Sequence, residues 1–246
     1  MPEEVRPTVT DIDRFATPLY TITEASHYLG VPDSTFRTWA KGYVRRSADR
    51  HVVRGGPIVT TLEGQSSRSA SIPFVGLAEG LVLAAIRKAG VPLQRIRPVL
   101  DLLREELGVD HVLASKSLYT DGAELLYDFA EQSGDSPEAA SARQLVVVRH
   151  GQHVFNEVID QYLHRVDFAS DAYAQVIQLP GYGAAEVVAD PRRGFGQPTF
   201  KRGGAKVEDA LGMFWAGESL ADVPAEYGVP ESELEDALRV ASRRAA

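Results

Sequence analysis

Residues 20–41 read YTITEASHYLGVPDSTFRTWAK, and the placing of Ile22, Ala25, Leu29, Val31, Phe36 and Trp39 around Gly30-Val31-Pro32 leaves a narrow choice of structure. Apolar side chains three and four residues apart share one helical face, and a Gly-x-Pro step ends one helix and starts the next. The segment reads as helix, turn, helix. Thr23 is placed to cap the first helix and Asp33 or Ser34 the second, because a side-chain oxygen there accepts from amides that the first turn leaves free. Tyr43-Val44-Arg45 follows, and then Val52-Val53-Arg54 and Ile58-Val59-Thr60 joined through Gly55-Gly56. These read as a short hairpin where a wing would sit. The small, polar stretch EGQSSRSAS (63–71) reads as a linker, with a boundary near 72.

Two helices are expected over 76–90 and 92–108. The second carries Leu93, Ile96, Leu100, Leu103 and Leu107 as an apolar stripe, with Pro98 inside it predicting a kink or restart. Residues 111–113, 117–119 and 124–129 read as short strands or strand–helix mixtures, 144–149 as a β-branched run and 156–166 as a helix. From Val187 an irregular basic arm precedes three helices, whose turn Gly228-Val229-Pro230 repeats Gly30-Val31-Pro32. The expected fold class is α+β, predominantly α. It comprises a winged helix-turn-helix at 1–72, a mixed middle region at 73–186, and a basic arm with a three-helix, helix-turn-helix-like unit at 187–246.

The 246 residues include no Cys, which excludes disulfide frameworks, Cys-ligated zinc, iron–sulfur clusters and thiol catalysis. With 44% hydrophobic and 24% charged residues, a wholly disordered chain is excluded too. No apolar run approaches the ~18–20 residues of a membrane span, and the start MPEEVRPTVTDIDRF is unlike a secretory signal. A cytoplasmic protein without cofactor or metal is expected.

The net charge of -8 conceals an uneven distribution. Between Phe36 and Arg54 stand Arg37, Lys41, Arg45, Arg46, Arg50 and Arg54 against Asp49 alone, a surplus of five positive charges. A second helix presenting Ser34, Thr35, Arg37, Thr38 and Lys41 suits a DNA major groove, where hydroxyls and a guanidinium reach base edges. Arg45, Arg46 and Arg54 on the wing would hold phosphates. One short reading helix covers few base pairs, so a homodimer on paired half-sites is expected.

The arm DPRRGFGQPTFKRGG (190–204) is basic and glycine-rich, but it lacks the Gly-Lys-Ser/Thr ending of a P-loop. Residues 207–246 reverse the sign, with nine acidic residues against Arg239, Arg243 and Arg244. A last helix presenting Glu231, Glu233, Glu235 and Asp236 would be repelled by phosphates, so packing, dimerisation or a protein partner fits it better.

Residues 20–107 resemble MerR-type regulators in the order of helix-turn-helix, wing and two further helices. That resemblance implies a winged DNA reader, although no long dimerising helix follows Leu107. QLVVVRHGQHVFN (144–156) resembles the start of a histidine phosphatase, which implies His150 as phosphoryl acceptor and Arg149 as clamp. Only 95 residues follow Gly151, however, and the later histidines are His153 and His164. The tail, with its DPR, Gly-x-Pro, basic glycine-rich step and Val-Glu-Asp, resembles a small domain family of formally unknown function that accompanies toxin–antitoxin operons.

Joined to a regulator-like N-terminus, this tail resembles a VapB-type antitoxin. The resemblance implies an inhibitor of a PIN-domain ribonuclease of the VapC type that also represses its own operon by binding operator DNA. Such a toxin's active site is a Mg²⁺-binding carboxylate cluster, which Arg192, Arg193, Lys201 or Arg202 could engage, with Phe195 beside them. Contact through the 93–107 stripe is the other possibility. A stand-alone MerR-like regulator with a small-molecule effector and a phosphatase using His150 are the alternative functions.

Overall fold

The computed structural model describes residues 12–46, 52–63, 69–122 and 164–245. The expected elements at 124–129, 144–149 and most of 156–166, with Arg149 and His150, lie outside the described residues. The fold is α+β with helices predominating.

Helices α1 (Ile22–Leu29) and α2 (Asp33–Lys41) form the expected pair, but their starts differ from the sequence reading. Thr21, not Thr23, caps α1: its hydroxyl accepts from the Glu24 amide at 3.1 Å, and the Glu24 carboxylate accepts from the Thr21 amide at 2.8 Å. Thr23 instead donates to Asp33 Oδ1 at 3.0 Å, tying the two helices together. Pro32 precedes α2 without a side-chain cap, so neither Asp33 nor Ser34 plays that part.

The hairpin also differs. Strand β1 (Tyr43–Arg46) pairs antiparallel with β2 (Val52–Gly55), Tyr43 opposite Gly55 and Arg46 opposite Val52, so Gly55-Gly56 is not its turn. Ile58 and Val59 are buried, and their amides donate to the Trp39 carbonyl at 2.8 and 3.2 Å. The β-branched segment is extended because it lines the core, not because it pairs in a sheet. Ile72 is fully buried and pairs through its backbone with Tyr20.

Helix α3 (Phe74–Lys88) is enclosed on nearly every side, as its apolar composition requires. A β-carbon at Gly80 would stand 2.7 Å from Phe36 and 2.8 Å from Leu29, so this glycine lets the helix pair close onto α3. Helix α4 (Leu93–Leu107) runs through Pro98 and buries Ile96, Leu100 and Leu103, so that stripe is core and not a free surface. Gly-Val-Pro occurs a third time between α3 and α4, at 90–92, a repeat not noted in the sequence reading. At all three sites the glycine has positive φ, and the valine amide closes back onto the helix just ended.

Residues 111–119 are not strands. Val112–Ala114 is a 3-10 turn and Lys116–Thr120 is a short helix, α5. A four-stranded antiparallel sheet follows in sequential order: β3 (Val166–Phe168), β4 (Ala174–Gln178), β5 (Val187–Ala189) and β6 (Thr199–Phe200). The basic arm is therefore part of a sheet, not irregular: β5 and β6 pair across it because Val187 and Phe200 both face the core. The three expected tail helices follow as α6 (Val207–Trp215), α7 (Asp222–Tyr227) and α8 (Glu231–Ala245). Glu233 and Asp236 of α8 turn inward, so the acidic face read from sequence is reduced to Glu231 and a half-buried Glu235.

One core joins the two ends of the chain. Arg14 pairs with Asp171 and donates to the Tyr173 and Ala174 carbonyls, and the Lys116 amide donates to Ala172 at 2.7 Å. The Tyr20 hydroxyl donates to Gly196 at 2.8 Å. No described helix is long and apolar enough to cross a membrane.

Candidate nucleic-acid interface and basic arm

Helix α2 buries Phe36, Trp39 and Ala40 and turns its polar residues outward. Ser34, Arg37 and Lys41 are exposed, while Thr35 and Thr38 are half-buried beside them, so the five candidate readers share one helical face. Thr38 donates to the Ser34 carbonyl at 2.9 Å, and Ser34 is exposed. Arg37 reaches back one turn to Asp33 at 3.2 Å, an exposed pair of the kind that contributes little to stability. Burial by itself would raise the Asp33 pKa, but the hydrogen bonds from Arg37 and Thr23 outweigh it and hold the carboxyl below its ordinary value. Arg37 is thus held by a weak, exposed partner.

A cleft of about 460 Å³ runs beside this face, between Ser34, Thr35 and Thr38 of α2 and Leu93 and Gln94 of α4. Lys41 stands in the last turn of α2, and Arg45 and Arg46 lie on β1 opposite Val53 and Val52. Arg54 is exposed on β2, the strand paired with the one that carries Arg45 and Arg46.

The wing root carries a feature that sequence reasoning missed. Arg97 of α4 donates through Nη1 to the Gly56 carbonyl and lies 5.5 Å over the Tyr43 ring. The signal available was the close spacing of Arg95, Arg97 and Arg104 on α4.

In the arm, folding supplies several cations with internal partners. Asp190, almost wholly buried, accepts from Arg192 Nε and Nη2 at 3.0 Å each and from the Arg192 amide. Lys201 pairs with Glu186 at 3.2 Å and Arg202 with Glu233 at 3.7 Å. Among the described residues no carboxylate pairs with Arg193, which is exposed. Next to it, Phe195 is 72% exposed and holds a left-handed backbone, φ 57 and ψ 36, between two glycines that also have positive φ. A large apolar side chain in water on a strained turn is costly twice over, which makes it a candidate contact.

Below the arm, Asp236 of α8 accepts from the amides of Gly183, Ala184 and Ala185 at 2.6, 2.9 and 3.1 Å. Burial would raise its pKa, but these amides, helped by Arg239, hold it below the ordinary carboxylate value. This contact locks the tail helices to the turn between β4 and β5.

Residues 18–100 match a family described as "Putative DNA-binding HTH domain", a span that takes in α1 to α3, the wing and the first half of α4. A Mycobacterium tuberculosis protein named "Putative antitoxin VapB45" is 52% identical over 226 residues, covering 92% of this chain and 94% of that protein. A second protein of the same organism, "Uncharacterized protein Rv2308", is 26% identical over 227 residues, covering 89% of this chain and 88% of its own. The crystal structure of Rv2018 from M. tuberculosis superimposes with a TM-score of 0.76 at 47% identity, covering 92% of this chain and all of that one.

Proposed function

This chain belongs to the VapB-type antitoxin family represented by VapB45, with a DNA-binding helix-turn-helix at its N-terminal end, and we propose that it neutralises a PIN-domain ribonuclease while repressing its own operon. It acts in the cytoplasm by stoichiometric binding, without chemistry of its own. The observation that carries the DNA half is the outward face of α2, where Ser34, Thr35, Arg37, Thr38 and Lys41 stand together beside a basic wing. Arg37 exchanges Asp33 for a base edge, and Lys41, Arg45, Arg46 and Arg54 hold the phosphates. A homodimer sets two such helices on paired half-sites.

The toxin half is assigned to the arm. Arg193 and Phe195 put an exposed cation and an exposed aromatic on one turn, residue types enriched at protein interfaces. Arg192, Lys201 and Arg202 join them by exchanging their internal carboxylates for the toxin's. The test is co-expression with the small protein encoded beside this chain, one partner tagged. Co-elution in a fixed ratio with loss of ribonuclease activity supports the antitoxin reading; elution alone, with the ribonuclease still active, overturns it.

A further inference from the structure

The wing root and α4 enclose a cleft of about 330 Å³ lined by Arg54, Arg97 and Arg104 together with Asp101. Asp101 accepts from Arg104 at 2.9 Å, and it shares the lining with the three guanidinium groups. Arg97 is the unusual member. Its Nε and Nη2 are shut off from solvent and have no acceptor among the described residues, while Nη1 is committed to Gly56. Burial lowers its pKa, with Tyr43 and Asp101 acting the other way. A half-buried cation with two unmatched donors is costly unless negative charge comes close.

Resting on the DNA-binding reading above, we propose that this cleft seats a backbone phosphate of the bound duplex. Arg54 and Arg104 contact it directly, and Arg97 stands behind them as a positioning residue that holds the wing and supplies charge. Arg54 is exposed on the wing and the Arg104 side chain is 35% exposed, so both can reach a phosphate oxygen without repacking. The position also fits. Leu93 and Gln94 on the first turn of α4 line the cleft beside the reading helix, Arg97 and Arg104 line the one under the wing, and Tyr43 borders the first cleft while lying under Arg97. Helix α4 therefore runs as one surface from the base-reading face to the wing. A phosphate contact of this kind adds affinity but no sequence preference.

The experiment measures the affinity of the full chain for a duplex carrying its own promoter, and for an unrelated duplex, across a series of salt concentrations. Arg54→Ala and Arg104→Ala should each weaken binding to both duplexes by about tenfold near 0.1 M salt and lower the salt slope by about one. Asp101→Asn, which removes the competing carboxylate, should tighten binding to both, a change that loss of a structural contact would not produce. Wild-type slopes in Arg104→Ala, together with unchanged affinity in Asp101→Asn, overturn the cleft while leaving α2 as reader. A wild-type chain that binds neither duplex overturns the DNA-binding reading and the cleft with it.

Discussion

The hydroxyl of Tyr20, at the threshold of the first helix, donates at 2.8 Å to the carbonyl of Gly196, at the tip of the basic arm. Tyr20 is 1% exposed, and burial pushes its pKa far up, so the phenol stays protonated and the donor is permanent. The bond joins the DNA-reading module to the arm assigned to the toxin. It leaves no room for a side chain at 196, where a β-carbon would collide with the Tyr20 oxygen and φ is +74°.

Gly196→Ala should therefore destabilise the fold by about 2 kcal/mol or more, from left-handed backbone strain and the clash together. Tyr20→Phe should cost about 1–3 kcal/mol by leaving a buried carbonyl without its donor. Chemical denaturation of both variants checks this, and a wild-type midpoint in Gly196→Ala would show that the contact is not formed.

Arg37→Ala should reduce promoter affinity by about 1–3 kcal/mol while leaving toxin capture intact. Its only described ion partner is the exposed Asp33, so thermal stability should stay within about 0.5 kcal/mol of wild type. Fluorescence anisotropy on promoter DNA beside a pull-down with the toxin separates the two activities; equal loss of both would contradict independent surfaces.

Phe195→Gly should separate stability from binding. Relief of the left-handed strain, about 1–2 kcal/mol, is partly offset by the greater freedom of glycine in the unfolded chain, about 0.5–1 kcal/mol. The melting temperature should thus hold or rise slightly while affinity for the toxin falls. A lower melting temperature with unchanged affinity would make Phe195 a structural residue.

The Asp236 carboxyl has its folded-state pKa held below the unfolded value near ~3.9. Its contribution is complete above that value and is lost as pH falls through the depressed folded-state pKa. Asp236→Asn should be less stable than wild type at pH 7 by about 2 kcal/mol, with the gap closing as the solution is acidified below about pH 4. Melting curves from neutral to acid pH test this, and a gap independent of pH would assign the loss to packing.

The helix pair at 22–41 was legible because its constraints are local: apolar spacing, a capping side chain and a glycine that must turn left-handed. Even there the cap falls to Thr21 and not to Thr23, and only the fold shows that Thr23 spends its hydroxyl on Asp33. Ile58 and Val59 read as a strand because β-branched residues favour extended backbone. Their partner is instead the Trp39 carbonyl at the end of a helix, which no local pattern encodes.

The charge of the arm was visible in sequence, but its electrostatics were not. Glu186 lies 15 positions before Lys201 and Glu233 lies 31 positions after Arg202, and only the sheet and the tail helices bring them together. The place of Arg97 is no more local, since it depends on a wing that packs against it from elsewhere in the chain.

The sequence separation of 176 between Tyr20 and Gly196 also sets an order of events during synthesis. The helix pair emerges from the ribosome early and can collapse on α3 at once, but this buried polar tie waits for the arm, and contacts of such long separation form late. A chain terminated or cleaved before residue 196 leaves the Tyr20 hydroxyl without this acceptor. The fold thereby links the integrity of the finished polypeptide to the firmness of its own N-terminal module.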